Sequence, residues 1–208
     1  MFKETSKELL DFLSKSPTAF HAVENYRQIL NADGFKELLE SEHWDIVPGG
    51  KYYVTRNNTS ILAFKVGTKL DNYSFNIVTS HTDSPTFKVK ENAEIEVKNK
   101  YTQLNTEGYG GMLCATWLDR PLSIAGRVLV SEGSSIVTKL LNIDRDLLMI
   151  PNVAIHMNRA ANDGFKYNLQ VDMLPLLSAG DDRQKDFKQI IADELGVKKE
   201  DILGHDLY

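Results

Sequence analysis

A single cysteine, Cys114, stands in 208 residues, so the chain cannot close an internal disulfide or assemble a cluster of thiolate metal ligands. Any metal it binds must be held by histidine and carboxylate. Long apolar runs are missing too: no stretch approaches the roughly 18 to 20 residues that a membrane span requires. The opening MFKETSKELLDFLSKS sets charges among its apolar positions and lacks the unbroken apolar stretch and cleavage site of a secretory leader. A cytoplasmic protein with no membrane partner is the expectation. Massed cations are also absent. The net charge is −5 and the 24 Lys and Arg residues are dispersed, which argues against nucleic acid as a partner. Repeats of fixed period and low-complexity tracts are lacking. What remains is ordinary for a globular protein: 42% apolar and 25% charged residues, in a chain long enough to bury a core in one or two domains.

Local patterns divide the chain in two. Thr5 followed by Glu8 has capping-box spacing, and Leu9, Leu10 and Leu13 share one helical face, predicting a short opening helix. A second helix is predicted from Ser16-Pro17-Thr18 through Phe20, Val23 and Leu30 to a stop at Gly34. KYYVT and SILAFKV flank Arg56-Asn57-Asn58-Thr59 and read as a β-hairpin, since Asn tolerates the positive backbone angles of a tight turn. After a polar turn around Leu70-Asp71-Asn72, FNIVTSH predicts a strand buried on both faces of an α/β sheet and ending at His81. Beyond Pro85 come FKVK, AEIEVKNK, YGGMLCATW, LSIAGRVLV, SSIVTKLL and NVAIHM. Such closely spaced short strands suggest a compact antiparallel barrel or sandwich, with the boundary near residue 88. A last helix is predicted in DDRQKDFKQIIADELGVKKEDIL, with Asp residues at its start and a stop at Gly196.

His81 is the most informative candidate for chemistry, because ligands in open α/β sheets bind at the carboxyl ends of strands. Asp83, two residues on, projects to the same side in extended backbone. It can accept a hydrogen bond from the imidazole and so fix the tautomer whose other nitrogen meets a metal. A capping histidine beside an Asx turn reads equally naturally from the bare H-x-D spacing. His21 reads as a packing or capping residue within its helix, and His43 and His205 as surface or loop residues. Gly110-Gly111 reads as a bend or bulge, since no helix-opening phosphate fingerprint follows it.

Five blocks occur in order: SPTAFHAV at 16–23, KYYVTRNNTSILAF at 51–64, SHTDSPTFKVK at 80–90, YGGMLCATWLDRPLSIAGRV at 109–128 and IPNVAIHMNR at 150–159. Together, across nearly the whole chain, they resemble the aspartyl aminopeptidase and vacuolar aminopeptidase I family of metallopeptidases. The resemblance implies an α/β protein, with part of the metallopeptidase catalytic domain at 1–88 and a β-rich dimerisation domain closed by a helix at 89–208. It implies an enzyme that removes single acidic or neutral residues from peptide N-termini and assembles into a large homo-oligomer, commonly a dodecamer. Two zinc ions per complete active site are implied, with cobalt or manganese as alternatives. In such chemistry the metals acidify a bridging water and a glutamate takes its proton. His81 matches the family's first metal ligand and Asp83 the acidic residue that orients it. His156 matches a histidine of the dimerisation domain that reaches a neighbouring subunit's active site, where it would act as a donor to substrate or developing oxyanion. The alternative for His156 is a strand histidine packed at a subunit seam. Asp119-Arg120 falls in the dimerisation domain on this resemblance and reads as a structural ion pair or turn. There the chain departs from the family, which usually has a second acidic residue where Pro121 stands.

One histidine cannot hold two metals. The family's bridging aspartate, adjacent Glu-Glu pair, further acidic ligand and final histidine all follow the dimerisation domain, and no Glu-Glu dipeptide occurs in this sequence. The expectation is therefore a chain that is the N-terminal half of the enzyme, incomplete and inactive by itself, as one piece of a split or cleaved enzyme or as a truncated product. A non-catalytic oligomerisation fragment is the alternative.

Overall fold

The structure, a computed structural model, describes residues 2–71, 74–180 and 186–208. Asn72 of the predicted polar turn, and Asp181 and Asp182 ahead of the last helix, lie outside the described residues. The chain is mixed α/β and separates into two compact units, Met1–Ser84 and Pro85–Tyr208.

In the first unit, α1 (Phe2–Ser14) begins before the expected capping box, so Thr5 and Glu8 lie inside it. Phe2, Lys3 and Glu4 include no helix breaker, and Glu4 suits the positive end of the helix dipole. Its leucines Leu9, Leu10 and Leu13 are exposed. Helix α2 (Ala19–Ala32) buries Phe20, Ala22 and Val23. It ends as the sequence predicts: Gly34 takes φ +80°, its N–H donates to Asn31 O, and Phe35 N–H donates to Leu30 O. These two bonds satisfy carbonyls that the helix end would otherwise leave open.

Strands β1 (Lys36–Glu37), β2 (Lys51–Arg56) and β3 (Ser60–Lys65) form one sheet in that order, with β1–β2 parallel and β2–β3 antiparallel. The hairpin is as expected: Asn57 and Asn58 have φ of 52° and 55°, and Thr59 N–H donates to Arg56 O. Tyr52 and Tyr53 are buried, and Tyr53 hydroxyl donates to Asn31 on α2 at 3.0 Å. Arg27 joins the same helix to β1 through Glu37 at 2.7 Å.

The predicted buried strand at 75–81 is not formed. Those residues have no ladder partner, and Phe75, Ile77 and Val78 are 82%, 79% and 96% exposed. A strand buried on both faces needs a neighbour on each edge and cover on each side. The small sheet of this unit pairs only β1, β2 and β3. Apolar composition made the segment competent for a strand, but without partners no ladder forms.

The second unit holds two three-stranded sheets. Strands β4 (Thr86–Val97), β5 (Tyr101–Tyr109) and β8 (Leu176–Ala179) form the first, in the order β4-β5-β8. Strands β6 (Ala125–Glu132), β7 (Ser135–Asn142) and β9 (Ile202–Leu207) form the second, in the order β7-β6-β9. All pairings are antiparallel. One core joins them, with Leu104, Val128, Leu141 and Ile202 beneath Phe187 and Ile191 of α3 (Phe187–Leu195). Asp186 caps α3 by accepting from Gln189 N–H at 3.1 Å, and Gly196 ends it at φ 63°.

Three local expectations change here, and one strand appears that was not expected. FKVK and AEIEVK are one long strand, β4, with a register shift between Val89 and Glu94 that marks a bulge. YGGMLCATW leaves β5 at Tyr109 and becomes a 3-10 turn at Cys114–Trp117. NVAIHM forms turns, with Val153, Ile155 and Met157 exposed, because no strand lies alongside to pair with it. ILGHDL, for which no strand was expected, is strand β9, which buries Ile202 and Leu207 against β6.

Gly126 faces β9 at φ +156°, a backbone conformation that residues with a side chain rarely adopt. A Cβ built on Gly126 would lie 2.1 Å from Asp206 O. Asp206 in turn is bonded by Lys88 of β4 at 2.9 Å and by Arg127 of β6 at 2.8 Å. Burial by itself would raise the Asp206 pKa, yet these two cations outweigh it and hold the carboxyl below its usual range. Gly126→Ala is expected to lower unfolding free energy by about 3 kcal/mol by forcing β9 away. Gly204→Ala, with nothing within 4 Å of the new methyl, should stay within about 0.5 kcal/mol of the parent in the same denaturant titration.

Candidate functional site

His81 sits in extended backbone at the end of the exposed 75–80 segment, just before the turn into β4. Its Nδ1–H donates to Asp83 Oδ1 at 2.9 Å. The imidazole is 91% exposed and the Asp83 side chain 37%. Between them, Thr82 hydroxyl donates to Thr59 O at 2.7 Å, which ties the motif to the β2–β3 hairpin turn. With Nδ1 committed to a carboxylate, Nε2 is the nitrogen left for a ligand, and the exposed ring is not enclosed by apolar neighbours.

Among the described residues no three His, Cys, Asp or Glu side chains come together closely enough to hold a metal ion. Among the described residues the donor set therefore fits one ligand and its orienting carboxylate, and falls short of a complete metal site.

His156 lies in the second unit on an exposed turn, where Met157 N–H donates to Ala154 O at 2.8 Å. Neither a strand nor a packed environment surrounds it. Asp119 takes a positive φ of 53°, its N–H donates to Ile150 O, and its Oδ1 accepts from Asn152 N–H at 2.8 Å. Arg120 donates to Thr116 O rather than to Asp119. The Asp119-Arg120 pair is thus a turn that fastens the 150–152 segment beside Leu118. Gly110, with φ +77°, bends the chain at the end of β5 close to Pro85.

Of the remaining histidines, His21 shares a 2.9 Å hydrogen bond with the N-cap residue Thr18, and burial lowers its pKa. His43 is exposed, 3.8 Å from Asp45. His205 differs from its reading as a surface or loop residue, because it lies half-buried on β9 with its ring against Phe187. Local periodicity holds no clear signal for it, because Ile202 and Leu207 are five residues apart and the β6–β9 pairing shifts register between them.

The chain matches the model of the aminopeptidase I zinc metalloprotease (M18) family over residues 12–208. It is 48% identical over 210 residues to the probable M18 family aminopeptidase 2 of Clostridium novyi, covering 98% of this chain and 48% of that protein. It is 45% identical over 177 residues to the aspartyl aminopeptidase of Dictyostelium discoideum, covering 84% of this chain and 36% of that one. The solved structure of Chaetomium thermophilum mApe1 superposes with a TM-score of 0.87 at 30% identity, over 98% of this chain and 50% of that chain. The chain spans about half the length, or less, of the relatives it matches.

The turn reading of Asp119 has a direct check in thermal and denaturant unfolding. Asp119→Ala should cost about 1 to 2 kcal/mol, because alanine is strained at this φ and the Asn152 N–H loses its acceptor. Asp119→Asn keeps both properties and Arg120→Ala breaks only an exposed contact, so each should stay within about 0.5 kcal/mol of the parent.

Proposed function

The chain belongs to the aminopeptidase I zinc metalloprotease (M18) family, and on that premise we propose that it supplies the N-terminal portion of a metal-dependent aminopeptidase. The reaction is release of acidic or neutral residues, one at a time, from peptide N-termini. The observation that carries the reading is the His81–Asp83 hydrogen bond, with an exposed ring and a free second nitrogen, in a segment the family model covers.

In this reading the first unit is part of the catalytic domain and the second is the dimerisation domain. His81 offers Nε2 as one ligand of a zinc site, and Asp83 holds the tautomer and the ring direction. The other donors come from outside the described residues. When bound, the metal polarises the scissile carbonyl and acidifies a water, the chemistry hydrolysis requires. Two zinc ions, replaceable by cobalt or manganese, occupy the complete site. His156 on its exposed turn serves the active site of a neighbouring copy as a donor toward substrate or oxyanion, in a homo-oligomer that the family resemblance suggests is dodecameric. The exposed Val153, Ile155 and Met157 around it support a contact role for that turn.

A second reading has its own support. Because the described residues assemble no three-donor cluster, the chain by itself would be a non-catalytic oligomerisation fragment.

Zinc titration and hydrolysis of aminoacyl chromogenic substrates separate the two. The 208-residue chain alone should bind no stoichiometric zinc and cleave nothing; tight one-to-one zinc in it would overturn the incomplete site. In an assembly carrying the rest of the catalytic domain, His81→Ala should lower kcat/KM by about a thousandfold. Asp83→Asn should weaken metal binding by about 10- to 100-fold. His156→Ala should lower kcat while leaving bound zinc unchanged. Full activity in His81→Ala would remove it from the ligand set.

A further inference from the structure

The second unit carries a cleft of about 440 Å³ between the bulge of β4 (Glu91, Glu94), the start of α3 (Asp186, Phe187) and β9 (Gly204, His205). It belongs to none of the chemistry assigned above.

His205 forms the seat of this corner. It pairs in register with Val128 of β6, and its ring meets Phe187 edge-on, at 6.3 Å between centroids and 89° between planes. Phe187 is fully buried, and its backbone N–H donates to Glu94. The first residue of α3 is thus held from both sides, by β4 through a hydrogen bond and by β9 through an imidazole. Nδ1 of His205 is buried and has no hydrogen-bond partner among the described residues. A neutral ring can leave one nitrogen bare, whereas an imidazolium carries an N–H on both and would leave a buried donor without an acceptor.

Charged groups face this ring from each element around it: Lys88, Glu91 and Glu94 on β4, Asp186 and Lys188 at the start of α3, Lys199 in the turn before β9, and Asp206 on β9 itself. Most are engaged. Lys88 and Arg127 hold Asp206, Lys199 and the Gln189 N–H hold Asp186, and Phe187 N–H holds Glu94. Glu91 has no ion-pair partner among the described residues and lines the cleft, so it is the acceptor a charged imidazole would meet on leaving its seat.

We propose that His205 is an acid-operated latch on α3: as a neutral ring it seats Phe187 on β9, and on protonation it swings toward Glu91, freeing the first turns of α3 and widening the cleft. Burial lowers the His205 pKa below its ordinary 6.5; Glu91 and Asp206 pull it back up, while Lys88 and Lys188 push it down. Because the folded value lies below the unfolded one, the latch is intact above 6.5 and weakens as pH falls from there toward the folded value.

The test is amide hydrogen exchange of the 208-residue chain with NMR titration of its imidazoles. Exchange at α3 is expressed relative to β6 in the same molecule, which cancels the intrinsic pH dependence. Between about pH 7.5 and about pH 5.5, α3 protection should fall at least about threefold relative to β6. His205→Phe, which keeps an aromatic ring and cannot titrate, should abolish that fall; if it fails to fold, His205→Gln serves in its place. Glu91→Gln should move the fall to lower pH by removing the acceptor. A His205 ring that titrates at or above 6.5, an α3 to β6 ratio that does not change with pH, or an equal fall in the non-titrating variants overturns the latch.

Discussion

Gly126 of β6, at φ +156°, faces the Asp206 carbonyl of β9 so that any Cβ there would run into it, and much of the second unit follows from the β6–β9 pairing that this glycine permits. It lets the Asp206 carboxylate stand where Lys88 of β4 and Arg127 of β6 both reach it. Three strands from two sheets are joined at one charge, only half exposed, where such bonds are less screened than at an open surface. The same strand presents its neighbouring residue, His205, to Phe187, so the seat of α3 is set by the pairing of β9. Tyr208 completes the corner, with its ring 5.5 Å from that of Tyr109. Strand β9, which the sequence did not announce, is the one on which helix, bulge and ion cluster converge.

The first unit rests on a different balance. Its hairpin, its α2 cap and the Tyr53–Asn31 bond are local or nearly so. Around this small frame stand apolar residues with nothing over them: the leucines of α1 and the Phe75, Ile77 and Val78 run. Exposed apolar surface on that scale exceeds the scattered single residues of an ordinary surface. His81 follows directly after that run and shares its exposure. The histidine is oriented locally by Asp83, and among the described residues no cluster of three metal-ligating side chains includes it.

Particular residues show why some of this was legible in advance. Asn57-Asn58 and Gly34 stand where the backbone needs positive φ, and few residue types accept it, so a turn and a helix stop could be read from composition. The α3 stop at Gly196 is the same case. The spacing of His81 and Asp83 put their hydrogen bond within reach because it spans two residues. By contrast, strand or no strand at 75–81, at 152–157 and at 202–207 was decided by whether a partner lay alongside. Hydrophobic content pointed the wrong way at 75–81 and 152–157, and 202–207 carried no strand expectation. The burial of His205 depends on Phe187 and on Val128, 18 and 77 residues before it, and the role of Gly126 on Asp206, 80 residues after it, separations that no short window along the chain contains.

The sequence by itself determined the features whose energetics are local: the caps, the hairpin turn, the family blocks and the carboxylate beside His81. Only the tertiary structure decided which apolar segments become strands, which histidine is buried, and that Asp119 is a turn residue serving Asn152 rather than an ion-pair partner of Arg120. The physical reason is that a strand is stable only when its N–H and C=O groups find another strand, and a side chain's burial is fixed by what packs over it. Both are properties of the assembled chain, whereas a backbone angle or a two-residue hydrogen bond is already present in a short peptide.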